Sequence, residues 1–100
     1  MLIWICVDNN DAKSSKITKV VDANFWALVE FDEGVVKEVN FYNSREEFTE
    51  WVDFIILKDK YESYIDYMNE GMMVLCIREE ASIDEIMEAF KFKELDEVGM

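Results

Sequence analysis

Two kinds of apolar pattern alternate along this chain. Leu2 to Val7 is an unbroken apolar run that stops at Asp8-Asn9-Asn10-Asp11. A short run without polar alternation predicts a strand covered on both faces, inside a helix-flanked sheet. The polar stretch from Asp8 to Lys16 is the most loop-like segment. Phe25 to Phe31 is rich in aromatic and branched residues, Asp32-Glu33-Gly34 is a turn signal, and Val35 to Tyr42 follows as another strand. Together they predict a β-hairpin, with Gly34 supplying the positive φ of its turn. Phe54–Leu57 and Met72–Ile77 are again continuous apolar runs and predict buried parallel strands.

The remaining apolar positions recur at helical spacing. Three segments open on a polar residue followed by glutamate three positions later: Ser44 with Glu47, Asp59 with Glu62, and Ser82 with Glu85. Each pair matches a capping box, in which the first side chain accepts from a helix N–H and the glutamate reaches back. The first predicted helix is short, with Phe48, Trp51 and Val52 inward. The second carries Tyr61, Tyr64, Ile65 and Met68 and stops at Gly71. The third carries Ile83, Ile86, Met87 and Phe90. The order is β, β, β, α, β, α, β, α. This predicts an α/β fold: one domain over residues 1–100, a five-stranded mixed sheet of order 3-2-1-4-5, and helices on its faces. Val35–Tyr42 should be a sheet edge, able to pair with a second copy. Lys93 to Met100 is expected to fray.

Charge narrows the partners. Of 100 residues, 23 are acidic and 10 basic, a formal net charge of -13, and histidine is absent. Nucleic acid and anionic membranes are disfavoured, because both are held mainly through Lys and Arg. A protein partner, including a basic one, suits this charge. Without histidine there is no Ser-His-Asp or Cys-His arrangement, and no zinc site of the usual ligand types. The N-terminal apolar run is too short for a signal peptide, and no stretch reaches membrane-spanning length, so the cytoplasm is the expected location.

Candidate chemistry is sparse. Ligands of open α/β sheets sit beyond the carboxyl ends of the parallel strands. Asp8, Asp59 and Glu79 lie at those ends and could together hold a divalent cation. Lys58 and Lys60 could attract an anion, but Asp59 stands between them and no glycine-rich phosphate turn precedes a helix. Tyr61 and Tyr64 fall on the expected core stripe and Tyr67 off it; Trp4 and Trp26 are expected in the core. Cys6 and Cys76 fall on strands separated by a third. At about 9.6 Å for two strand spacings they are beyond disulfide reach, and two free thiols are expected.

The pattern resembles the dinitrogenase iron–molybdenum cofactor biosynthesis family, nitrogenase accessory factor-like domains with a ribonuclease-H-like fold. The likeness covers about residues 1–95. It rests on the strand ending Val7-Asp8, the hairpin Phe25 to Val36, Val52-Asp53-Phe54-Ile55-Ile56, Met68-Asn69-Glu70-Gly71, and Ala81 to Phe90. The family's His-Phe-Gly turn is replaced by Thr18-Lys19-Val20, and its Gly-rich turn after the fourth strand by Leu57-Lys58-Asp59-Lys60. No family site residue carries over. The resemblance thus implies the fold, and the expected function is a non-catalytic binding or interaction module without the family's cofactor site. One alternative is a carrier of an iron–molybdenum or iron–sulfur cluster through Cys6, Asp8 or backbone groups. Another is a divalent-metal-dependent nuclease using Asp8 and Asp59, which needs carboxylates gathered at two metals about 4 Å apart. A further alternative is a nucleic-acid mimic that binds basic proteins.

Overall fold

Leu2–Val7, strand β1, has no polar side to offer solvent, and the sheet is built around it. In the computed structural model, which describes residues 1–99, β1 pairs antiparallel with β2 (Phe25–Asp32) and parallel with β4 (Phe54–Leu57). β3 (Val35–Tyr42) lies outside β2, and β5 (Met73–Cys76) outside β4. The hairpin turn uses positive φ at both Glu33 and Gly34, 54° and 76°, the two-residue geometry that matches strand twist. β3 is an edge strand, as expected, and the order 3-2-1-4-5 holds across the first five strands.

Beyond β5 the expectation fails. The tail does not fray: Asp96–Glu97 forms β6, antiparallel to β5, making a six-stranded sheet of order β3-β2-β1-β4-β5-β6. Leu95 and Val98 are buried on either side of it. The turn into β6 is a Schellman motif with Lys93 in the left-handed conformation at φ 58°. The Lys93 N–H donates to the Phe90 carbonyl and the Glu94 N–H to that of Ala89. Glycine ordinarily marks this position, so a lysine there hides the turn from sequence.

Side chains of β1 alternate between two cores. Ile3, Ile5 and Val7 meet α2 (Ile83–Lys91) through Ile83, Ile86 and Met87. The Ser82–Glu85 capping box is complete: the Ser82 hydroxyl accepts from the Glu85 N–H, and Glu85 reaches back to the Ser82 N–H. Trp4 and Cys6 face the other way, among Trp26, Leu28, Ile55, Leu57, Val74 and Cys76. Both cysteines are free, with β4 between their strands.

Cover on the Trp4 side is thin, and here two predicted helices are corrected. The Ser44–Glu47 box forms but starts only a 3-10 turn, Arg45–Glu47. Phe48 then turns extended (φ -119°, ψ 117°) and drops onto Trp4 and Tyr42, with ring centroids 6.0 and 5.8 Å apart. Trp51, expected inward, is exposed, whereas Val52 is buried. The second helix, α1, is only Ile65–Asn69. It presents Tyr67 inward, while Tyr61 is 83% exposed and Ile65 and Met68 also face solvent. Of the expected tyrosine stripe, Tyr64 packs against the core as expected, while Tyr61 and Tyr67 exchange places. α1 ends as the sequence indicates: Gly71 takes φ 91°, its N–H donates to the Met68 carbonyl, and the Met72 N–H donates to that of Tyr67.

Candidate functional site

The sheet changes from antiparallel to parallel between β2 and β4, on either side of β1. In open α/β sheets ligands collect beyond the carboxyl ends of strands at such a point. A cavity of about 330 Å³ lies there, with Val20, Val21, Asp59, Tyr61, Glu62 and Tyr67 in its lining.

Glu62 organises it. One carboxylate oxygen accepts from the Asp59 N–H at 2.9 Å, and the other from the Val20 N–H at 2.7 Å. The first is the reach-back bond that the Asp59–Glu62 spacing indicates. It closes a tight turn, in which Asp59 Oδ1 accepts from the Tyr61 N–H, rather than a helix. The second ties that turn to the segment entering β2, 42 positions away. Backbone N–H groups converging at such a rim would ordinarily be the donors for an anionic ligand; here the chain's own carboxylate takes two of them. Glu62→Ala is therefore expected to cost about 1–3 kcal/mol. Glu62→Gln, with one acceptor oxygen left, should cost less. Urea unfolding reads the loss, and faster amide exchange at Val20 and Asp59 would locate it.

The three carboxylates named from sequence remain apart. Asp8 Oδ1 accepts from the Lys16 N–H and from Asn9 Nδ2, folding the 8–16 loop back on itself. Asp59 is engaged in its turn, and Glu79 lies in the bend after β5, its N–H donating to Glu80. Among the described residues, no three Cys, Asp or Glu side chains gather in an arrangement that could hold a metal ion. The expected shared cation site of Asp8, Asp59 and Glu79 is therefore not assembled among the described residues. Cys6 offers no substitute. Its thiol is buried beneath the rim, and that burial, reinforced by the charge of Glu62, pushes its pKa far above the ordinary thiol value. A bound metal would itself deprotonate such a thiol, but among the described residues Cys6 is not gathered with two further ligating side chains, a poor donor set for an iron–molybdenum or iron–sulfur cluster.

Tyr67 closes the floor of the cavity, 8% exposed. Burial raises its phenol pKa, and the neighbouring Cys6 adds to the shift. Arg45 stacks over its ring, with the guanidinium carbon 5.0 Å from the centroid. Sequence spacing exchanges Tyr61 and Tyr67 because it assumes a helix beginning near Asp59, whereas Tyr64 packs inward as that spacing indicates. The signal for Glu62 was present in the Asp59–Glu62 pair, but its bond to Val20 joins segments that no local spacing relates.

No family model matches the chain, and no curated protein matches it. Solved structures do. A protein from Methanocaldococcus jannaschii, provisionally called a dinitrogenase, superposes with a TM-score of 0.78 at 21% identity, over 99% of this chain and 95% of that one. A Thermotoga protein, provisionally called a NifB protein, superposes with a TM-score of 0.75 at 15% identity, over 96% and 91%. At these identities the likeness shows the fold, and at fold level it supports the dinitrogenase-related resemblance read from the sequence.

Proposed function

We propose that this chain is a non-catalytic binding module on the dinitrogenase-related fold, whose task is to dock a protein partner. One observation carries the reading: at the rim where such a sheet takes its ligand, Glu62 occupies backbone donors from both flanking segments. The Cys6 thiol is sealed under it, its pKa raised by burial. With those donors taken by the chain's own carboxylate, the rim has fewer of them to offer a cluster or other anionic ligand. Fold likeness alone carries no activity, and the acidity of the chain suits a partner with basic character.

The test is anaerobic reconstitution with ferrous iron, sulfide and molybdate, followed by gel filtration, metal analysis and visible absorption. A colourless protein with metal well below one equivalent is expected, together with a co-purifying protein partner in affinity capture from the source organism. A stoichiometric chromophore retained through gel filtration would overturn the reading in favour of a cluster carrier.

A further inference from the structure

The thin cover on the Trp4 side leaves a second and larger cavity, about 550 Å³, reached from the Glu62 rim across the Arg45–Tyr67 stack. Its apolar surface comes from Trp4, Phe48, Trp51, Val52 and Met72. Trp51 stands out within it. The side chain is 61% exposed, yet it is held at two points. Its indole N–H donates to Asp53 Oδ1 at 3.2 Å, and its ring lies on Gly71, where an added Cβ would fall 2.3 Å from the ring. A large aromatic face is thus fixed in position and left open to solvent, an arrangement typical of contact residues at interfaces.

The charges around it are one-sided. Arg45 lies in the lining but is neutralised by a two-pronged pair with Glu70, at 2.8 and 2.6 Å. That pair holds the Glu70 carboxyl below the usual carboxylate range. Glu46 and Glu50 also line the cavity, and among the described residues neither forms an ion pair. The uncompensated charge is therefore negative, beside an exposed indole, on a chain of net charge -13. A bare metal ion is poorly served, since among the described residues no three ligating side chains gather. An organic cation with an apolar stem is well served: the stem covers Phe48 and Val52, the cation stacks on Trp51, and the carboxylates pair with it.

We infer that the Trp51 groove is the docking surface for a basic segment of the protein partner, receiving an arginine side chain between the indole and the carboxylates of Glu46 and Glu50. Guanidinium is favoured over ammonium because it stacks on aromatic faces and forks to a carboxylate. This inference rests on the binding-module reading and gives it a place and a chemistry.

The probe is a synthetic peptide alternating arginine and leucine, titrated into the ¹⁵N-labelled full chain and by calorimetry. Saturable binding is expected, with the largest shift at the Trp51 indole N–H. Trp51→Ala should weaken it about tenfold, as should Glu46→Gln with Glu50→Gln, or citrulline in place of arginine in the peptide. Asp84→Asn with Glu88→Gln removes the same charge from α2, on the opposite face of the sheet, and should change affinity less than twofold. The glutamine pair is exposed, so it reports even if Trp51→Ala disturbs folding. Equal weakening by both double variants, or full binding of the citrulline peptide, would mean diffuse attraction and overturn the groove while leaving the module reading standing. No binding of the arginine peptide also overturns the groove. Stoichiometric cluster uptake in the reconstitution above removes the reading beneath it.

Discussion

Trp4→Ala is expected to destabilise the fold by about 4 kcal/mol, with the urea midpoint falling and the slope of the transition unchanged. Trp4 is 2% exposed and sits on the central strand. Its ring meets Trp26, Tyr42 and Phe48 edge to face, with centroids 5.6, 5.8 and 6.0 Å away. Edge-to-face pairs add roughly 0.5–1.5 kcal/mol each beyond burial. These partners come from β2, the end of β3 and the segment before β4, so the indole is the common anchor of the thinly covered face. No long helix lies above it to settle into the void. Domains of this size have about 5–15 kcal/mol in all, and the variant should be partly unfolded at moderate temperature. Trp4→Phe, which keeps a ring, should lose clearly less. A loss under about 1 kcal/mol would show that this aromatic cluster does not hold the face together.

Truncation after Lys93 is expected to cost a similar amount, about 4 kcal/mol, and to promote self-association. The deleted segment buries Leu95 in the α2-side core and Val98 in the Trp4-side core. Each contributes about 1.5–3 kcal/mol by area. It also removes the pairing of Leu75 and Cys76 with Glu97 and Asp96, and the bond from the Val98 N–H to the Val74 carbonyl. β5 would become an edge strand with an apolar sequence, which is the type that pairs with other chains. Thermal melts and light scattering on the truncated and full-length chains decide this. Identical melting curves would mean that the tail contributes nothing.

Legibility in the sequence followed the range of the forces involved. β1, the hairpin and α2 were readable because continuous burial, an Asp-Glu-Gly turn and a complete capping box are local signals. Their consequence, a central first strand with antiparallel neighbours on one side and parallel ones on the other, followed from connection rules. The Ser44–Glu47 box was read correctly as a start but not as a stop, because Phe48 turns extended to reach Trp4, a residue far away in sequence. α1 was overextended because Glu62 is drawn to Val20. β6 was missed because Lys93, not glycine, takes the left-handed turn. At the candidate site, the positions of Asp8, Asp59 and Glu79 at strand ends were legible. What each carboxylate bonds to was not, because main-chain donors carry no residue signature.

The place of β1 at the middle of the sheet bears on how the chain is made. β1, which has neighbours on both sides, is synthesised before every strand it pairs with. β2 arrives about two dozen residues later, but the parallel partner of Ile3 is Phe54, and α2, which covers Ile3, Ile5 and Val7, begins only at Ile83. A nascent three-strand meander would therefore carry a bare apolar face until α2 has been made. Closing that core must wait for α2, and until then the growing chain is a substrate for chaperones.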